Sequence, residues 1–240
     1  MIVLYLDISM DVKKNNEGAV TILCSPQHLI ACHISSHYSR LQLHSFTKIP
    51  LDYLELEKLV VFNPTRMSYH VDTFINSRKL GHMPLFMGLY GPAIKERCIN
   101  TTIAHPEIHQ LPISHAPHWK WEYCYLYPHD HSYYFYLCGI PRGLILQFQL
   151  LALRQNWNLH YLTSERMALL QLYKYLFGQA FRPTQLGLHM QQRNNNIDAL
   201  FSRDDLARII TIPSHITIDE HDLGSLLTSC GLFIAGESYA

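Results

Sequence analysis

The chain has 240 residues, 48% hydrophobic and 16% charged, so it can bury a sizeable core as one large domain or two small ones, and global disorder is excluded. Its 19 Lys and Arg residues balance 19 Asp and Glu, which leaves no net field to gather a phosphate backbone or an anionic bilayer and argues against nucleic acid as a partner. The six cysteines, at 24, 32, 98, 124, 138 and 230, never form a Cys-x-x-Cys pair and lie in apolar runs, so buried free thiols are expected.

The opening MIVLYLDISMDVKK carries an apolar run, but it starts without basic residues, contains Asp7 and is too short to cross a bilayer or act as a signal sequence. A soluble, cytoplasmic protein with no direct membrane span is expected. AVTILC and LIACHI are β-rich runs of strand length joined by a short turn, and LQLHSFTKI follows with partial alternation. They predict an antiparallel three-stranded meander from Ala19 to Ile49. LDYLELEKLVVF is ambiguous. SYHVDTFINSRKLG predicts a helix capped by Ser68, with Val71, Phe74 and Ile75 on one face and Gly81 at its end. PLFMGLYG reads as a strand, with AIKERCI after it. The stretch from Asn100 to His118 gathers prolines and histidines, breaks both periods and reads as a loop.

In the second half, WKWEYCYLYP and SYYFYLCGI are aromatic strands separated by HDH, a hairpin. PRGLILQFQLLALRQN follows as a helix with Pro141 in its first turn and apolar residues on nearly every side, so protein is expected to cover most of its surface. WNLHYLT is a short strand, and SERMALLQLYKYLFG a helix begun by Thr163 or Ser164 and closed by Gly178. Strand, helix, strand, helix predicts a βαβα unit whose two strands lie parallel in one sheet. In the tail, SRDDLARII has a helix start at Ser202. TIDEHDLGSLLTSCG has Thr217 and Glu220 in capping-box register, which predicts a helix to Cys230 with Gly231 just past its end. The fold class expected is α/β: a mixed sheet, antiparallel meander first and βα units later.

The common phosphate cradles, the Gly-x-Ser-x-Gly nucleophile elbow and the His-Glu-x-x-His zinc motif are all missing from the sequence. The 16 histidines are unusual, and His105, His109, His115, His118, His129 and His131 crowd the middle third. Such spacings suit Zn²⁺ if a third ligand, Asp130 or Glu107, approaches. Because the cluster lies in expected loops without helical registration, solvated or packed histidines are the preferred account, and no metal is assigned. Asp222 to Ser225 spells Asp-Leu-Gly-Ser, the letters of the actin-like phosphate loop. Here they follow a capping box and run into LLTSCG, so a helix start is preferred.

The order TILCSPQHLIACHI, LQLHSFTKIPL, helix, PLFMGLYGPAIKERCI, then WEYCYLYP and YYFYLCGIPRGLILQFQLLALRQNWNLHYLTSERMALL, resembles the first domain of the type IV pilus assembly PilM family, members of the actin-like ATPase superfamily. That family opens with a strand, a phosphate loop, a second strand and a third ending before a Pro-Leu pair, and this chain has Pro50-Leu51. Gly88 to Ile94 and Tyr134 to Leu170 take the places of its later strands and helix, and SCGLFIAGESYA is similar to its closing helix. The resemblance covers most of the chain to about Gly178 and again the last twenty residues.

Two departures bear on function. Where the family carries Asp-x-Gly-Ser-like residues, this chain has Cys24, Ser25, Pro26 and Gln27, with no carboxylate for Mg²⁺ and with a backbone donor removed by Pro26. An alternative alignment puts Asp7 and Ser9 at the phosphates. Between Gly178 and Thr217 the chain is too short for the family's second ATPase domain, so the resemblance implies one actin-like (ribonuclease H-like) domain over 1–240, with a subdomain inserted at about 65–130 and the second domain missing between 178 and 217. It implies a non-catalytic cytoplasmic adaptor without a cofactor. Such an adaptor would bind the short tail of an inner-membrane pilus or secretion assembly protein in a groove beside the sheet, and would be peripheral at that membrane through its partner. Two alternatives stand beside it: an actin-like ATPase with a divergent loop, using Asp7 or Asp222, and a His-rich metal enzyme. An unrelated α/β domain also accounts for the mixed sheet, since fold alone grants no function.

Overall fold

A computed structural model describes residues 18–24, 28–37, 40–51, 64–91, 93–111, 113, 117–177 and 207–239. The expected meander is present as β1 (Ala19–Cys24), β2 (His28–His37) and β3 (Arg40–Pro50), each antiparallel to the next. All six side chains of β1 are buried, because helices cover both faces at the centre of the sheet. β4 (Leu85–Leu89) lies parallel to β1, and β8 (Leu159–Ser164) lies parallel to β4. With β9 (Ile210–Thr211) parallel to β3, the sheet order is β8-β4-β1-β2-β3-β9.

A second, antiparallel sheet has the order β5-β7-β6, formed by β5 (Lys95–Thr101), β6 (Trp119–His129) and β7 (Ser132–Pro141). The β6–β7 turn is made by Asp130 (φ 44°) and His131 (φ 63°), the left-handed pair that matches a tight hairpin to strand twist. The outer face of this sheet is aromatic: Phe135 packs on Tyr123 and Tyr125. Leu111 and Ile113 of the intervening loop close over Leu137, and Tyr123 Oη donates to the Pro106 carbonyl at 2.7 Å.

The expected pairing of β7 with β8 does not occur. β7 already has β5 on one edge and β6 on the other, so it has no ladder left to offer, and β8 pairs with β4 instead. The helix between them, α2 (Arg142–Gln155), crosses from one sheet to the other. It ends at Asn156, whose left-handed backbone turns its N–H to the Ala152 and Leu153 carbonyls. α2 is also less covered than its composition predicts. Leu144, Phe148 and Ala152 are buried, but Leu146, Leu150 and Leu153 are 57%, 54% and 78% exposed.

α1 (Pro64–Ser77) starts before Ser68, which is buried inside it. Pro64 takes the first helical position, where its missing N–H costs nothing, and the helix ends at Ser77 rather than at Gly81, with Lys79 left-handed. Val71, Phe74 and Ile75 form its buried face as expected. α3 (Glu165–Phe177) follows β8 directly. α4 (Leu223–Tyr239) is preceded by a 3₁₀ turn at Glu220–Asp222 and runs past Gly231 instead of stopping there. A side chain at Gly231 would meet the Ala168 carbonyl oxygen of α3 at 2.1 Å, so this glycine permits a close helix crossing and is not a cap. Gly236 does the same against the Phe86 ring of β4. Five cysteines are buried as expected, whereas Cys98, on edge strand β5, is exposed. The segments at 52–63 and at Ser202 lie outside the described residues. Among the described residues, no helix is long and apolar enough to cross a membrane.

Candidate functional site

Parallel strands β1, β4 and β8 end together: Cys24 pairs with Leu89 and Leu89 with Ser164. In open α/β sheets the space beyond the carboxyl ends of such strands is where ligands collect. Here the second sheet reaches into it. Glu96, Cys138 and Glu122 stand in one row across β5, β7 and β6, because both glutamates are register partners of Cys138.

That row meets the end of β8. Ser164 Oγ donates to Glu96 Oε1 at 2.5 Å, and Thr163 Oγ1 donates to Glu122 Oε2 at 3.0 Å. Ser164 Oγ also accepts the Met167 backbone N–H at 3.1 Å, which caps the first turn of α3. Arg166 Nη1 lies 3.4 Å from Glu96 Oε2. Glu165, between them, lies under β4: a side chain at Gly88 would come 3.9 Å from its Cγ.

Burial raises the affinity of Glu165 for its proton, the Glu96 charge adds to this, and Arg166 opposes it; the result is a carboxyl pushed up to about 8. Glu96 is also raised by burial, against the pull of Ser164 and Arg166. The Tyr136 phenol, buried beside Glu96, and the Cys24 thiol, buried near Glu165, are both held well above their ordinary range, chiefly by burial. Cys138 is pushed up to about 12 by burial. At neutral pH the cluster therefore contains a protonated Glu165 and unionised thiol and phenol groups, with Arg166 beside Glu96. It offers acceptors and soft apolar walls, but no thiolate nucleophile, and its arginine is already engaged.

Of the residues singled out in the sequence, Cys24 borders this cluster and the others that are described fall elsewhere. Cys24 lies at the buried end of β1, while Ser25, Pro26, Gln27, Asp7 and Ser9 are outside the described residues. Asp222 sits in the 3₁₀ turn before α4, 8% exposed, with Lys48 Nζ of β3 at 2.5 Å from its Oδ1. Gly224 and Ser225 are helical, as preferred from their context. His109 Nδ1 approaches Glu107 Oε2 at 3.2 Å on an exposed loop, and His131 forms the β6–β7 turn. Among the described residues, no three His, Cys, Asp or Glu side chains gather as a metal site; His115 and the side chain of His129 lie outside that set.

Sequence reasoning passed over Glu96, Glu122 and Glu165. The available signal was a single carboxylate inside each apolar strand, AIKERCI and WKWEYCYLYP, and one directly after the cap of a helix. At the other end of the same strands, a cavity of about 170 Å³ is lined by Asp72, Asn76, Leu80, Trp157 and Asn158. There Trp157 Nε1 donates to Asp72 Oδ1 at 2.6 Å.

No family model and no curated protein matches this sequence. Among solved structures, a chain of a PilM–PilN type IV pilus biogenesis complex superposes with a TM-score of 0.51 at 12% identity, over 68% of this chain and 52% of that one. The cytoplasmic domain of EpsL, an inner-membrane component of the type II secretion system of Vibrio cholerae, gives 0.39 at 6% identity, over 62% and 56%. A Bacteroides thetaiotaomicron protein of actin-like ATPase fold and unknown function gives 0.35 at 7%, over 69% and 58%. The chain spans a little over half the length of each. Its fold is the mixed α/β actin-like fold. The likeness to a chain of the PilM–PilN complex is one of fold, and it agrees with the resemblance carried by the element order in the sequence.

Proposed function

We propose that the chain is a non-catalytic cytoplasmic adaptor of a type IV pilus or secretion machine, which binds the short tail of an inner-membrane assembly protein and is peripheral at the membrane through it. In this reading the chain is one actin-like domain whose second ATPase domain is missing between 178 and 217, and the turn at Cys24, Ser25, Pro26 and Gln27 joins two strands without gripping a phosphate. The PilM-like fold supports the assembly role, and the similar solved chain comes from a complex with PilN.

One observation carries the tail-binding reading. β8 is the outermost strand of the large sheet, with no strand on its far edge among the described residues. Its last two residues are tied to the second sheet through Glu122 and Glu96, and Leu159 to Leu162 run along the sheet edge that leads up to them. An extended segment adding to such an edge gains main-chain hydrogen bonds, and the side chains flanking the edge choose its own. In the cluster beside it Arg166 is already paired with Glu96, so that cation is not left to draw a polyphosphate.

The test is hydrogen exchange on the whole chain with synthetic peptides covering the cytoplasmic tails of single-pass inner-membrane pilus and secretion proteins. A tail that binds and slows exchange at the amides of residues 159–162 by about tenfold or more supports the reading. Tails that bind without changing β8, or an absence of binding across the set, would overturn it.

A further inference from the structure

We propose that the outer face of α2 is a docking site for an amphipathic helix of another protein, one that carries acidic residues beside its apolar seam. This surface is the outer face of α2 and not the edge of β8, and the inference does not depend on the tail-binding reading.

Gly143, Leu146, Leu150 and Leu153 follow one another at spacings of three, four and three residues, the a/d seam of a helix–helix contact. All four lie on the exposed side, and the three leucines are 57%, 54% and 78% exposed. The opposite side, Leu144, Phe148 and Ala152, supplies the contact with the body of the protein, so the outer leucines add nothing to the core. A Cβ at Gly143 would meet nothing within 4 Å, so the seam begins with an open notch in which a large side chain of the partner fits. The helix has 14 residues, about 21 Å of length, enough for two heptads of contact.

Charge selects the occupant. The seam is flanked by Arg142, Gln149, Gln147 and Arg154, all exposed, and α2 contains no acidic residue. A second copy of α2 laid parallel would set Arg142 against Gln147 and Gln149 against Arg154, and in either direction it would offer the arginines no carboxylate. Two cations and two amides are also too few for a polybasic membrane anchor. A helix with Glu or Asp at the positions beside its apolar seam meets the leucines and Arg154 together, and at the other end Arg142, whose Nε donates to the Trp119 carbonyl at 3.5 Å.

The probe is a labelled peptide of about three heptads with Leu at a and d and Glu at e and g, titrated by anisotropy into the whole chain, and a matched peptide with Lys in place of Glu. The Glu peptide is expected to bind at least about tenfold tighter than the Lys peptide. The Leu150→Gln/Leu153→Gln variant, altered only at exposed positions, should fold with unchanged circular dichroism and lose that binding. Arg154→Glu should narrow or reverse the preference between peptides. Equal binding of both peptides, or binding that survives the double substitution, overturns the proposal. So does sedimentation showing a dimer that the double substitution dissociates, or vesicles containing anionic lipid that capture the wild type and not the variant.

Discussion

Ser164 Oγ holds two partners at once: it donates to Glu96 Oε1 at 2.5 Å and accepts the Met167 N–H at 3.1 Å. One hydroxyl thus caps α3 and ties the large sheet to the small one. Ser164→Ala removes the cap and strips a buried carboxylate of a donor, and should destabilise the protein by about 2–4 kcal/mol. Urea unfolding of wild type and variant checks this, with a change below about 0.5 kcal/mol contradicting the assigned role.

Gly231 and Ala168 make the second critical contact. Gly231→Ala places a methyl against a backbone carbonyl that cannot rotate away, so α3 and α4 must separate. A loss of about 3 kcal/mol is expected, measurable by thermal or denaturant unfolding. Helix propensity alone would predict a gain, so the sign decides between a crossing contact and an ordinary helical position.

Glu165 makes stability depend on pH in a particular direction. Unfolded, it titrates near its ordinary 4.5; folded, it is pushed up to about 8. Between those values the native state keeps a proton that the unfolded state has lost. Its contribution is therefore present in full below 4.5 and falls as pH rises towards 8, levelling above that. Glu96, also raised, slopes the same way. Glu165→Gln should flatten the curve and gain on the wild type as pH rises from 5 to about 8 in paired denaturation series. A wild-type curve parallel to the variant's would show that Glu165 ionises normally.

Thiol reactivity should follow exposure. Only Cys98 of the six cysteines is exposed, and burial holds Cys24, Cys32 and Cys138 protonated. Native protein is expected to react with a disulfide reagent at Cys98 first, and the remaining thiols only on unfolding. Mass spectrometry of the labelled site settles this.

Much of the fold was legible because its signals are local. Turn chemistry and β-rich runs marked β1 to β3, and the aromatic alternation around Asp130 and His131 marked the β6–β7 hairpin; Pro141, expected in the first turn of α2, instead ends β7 with extended backbone just before that helix. What stayed hidden depends on partners distant in the chain. β7 and β8 read as one parallel unit, since nothing near them tells that β5 has already taken the free edge of β7. Gly231 looks like a stop until α3 lies against it. The carboxyl cluster joins residues 68 and 41 positions apart, Glu96 to Ser164 and Glu122 to Thr163, and a lone glutamate in an apolar strand does not name its partner. The leucines of α2 announced a hydrophobic helix, but not which of its sides would remain bare.

The central claim is that the chain serves a peptide, at the β8 edge, and not a nucleotide. Calorimetric titration of the folded chain with ATP and Mg²⁺ tests it most directly. The adaptor account predicts no binding heat up to millimolar nucleotide. Micromolar binding that is lost in Asp7→Ala or Asp222→Ala would contradict it and restore the ATPase.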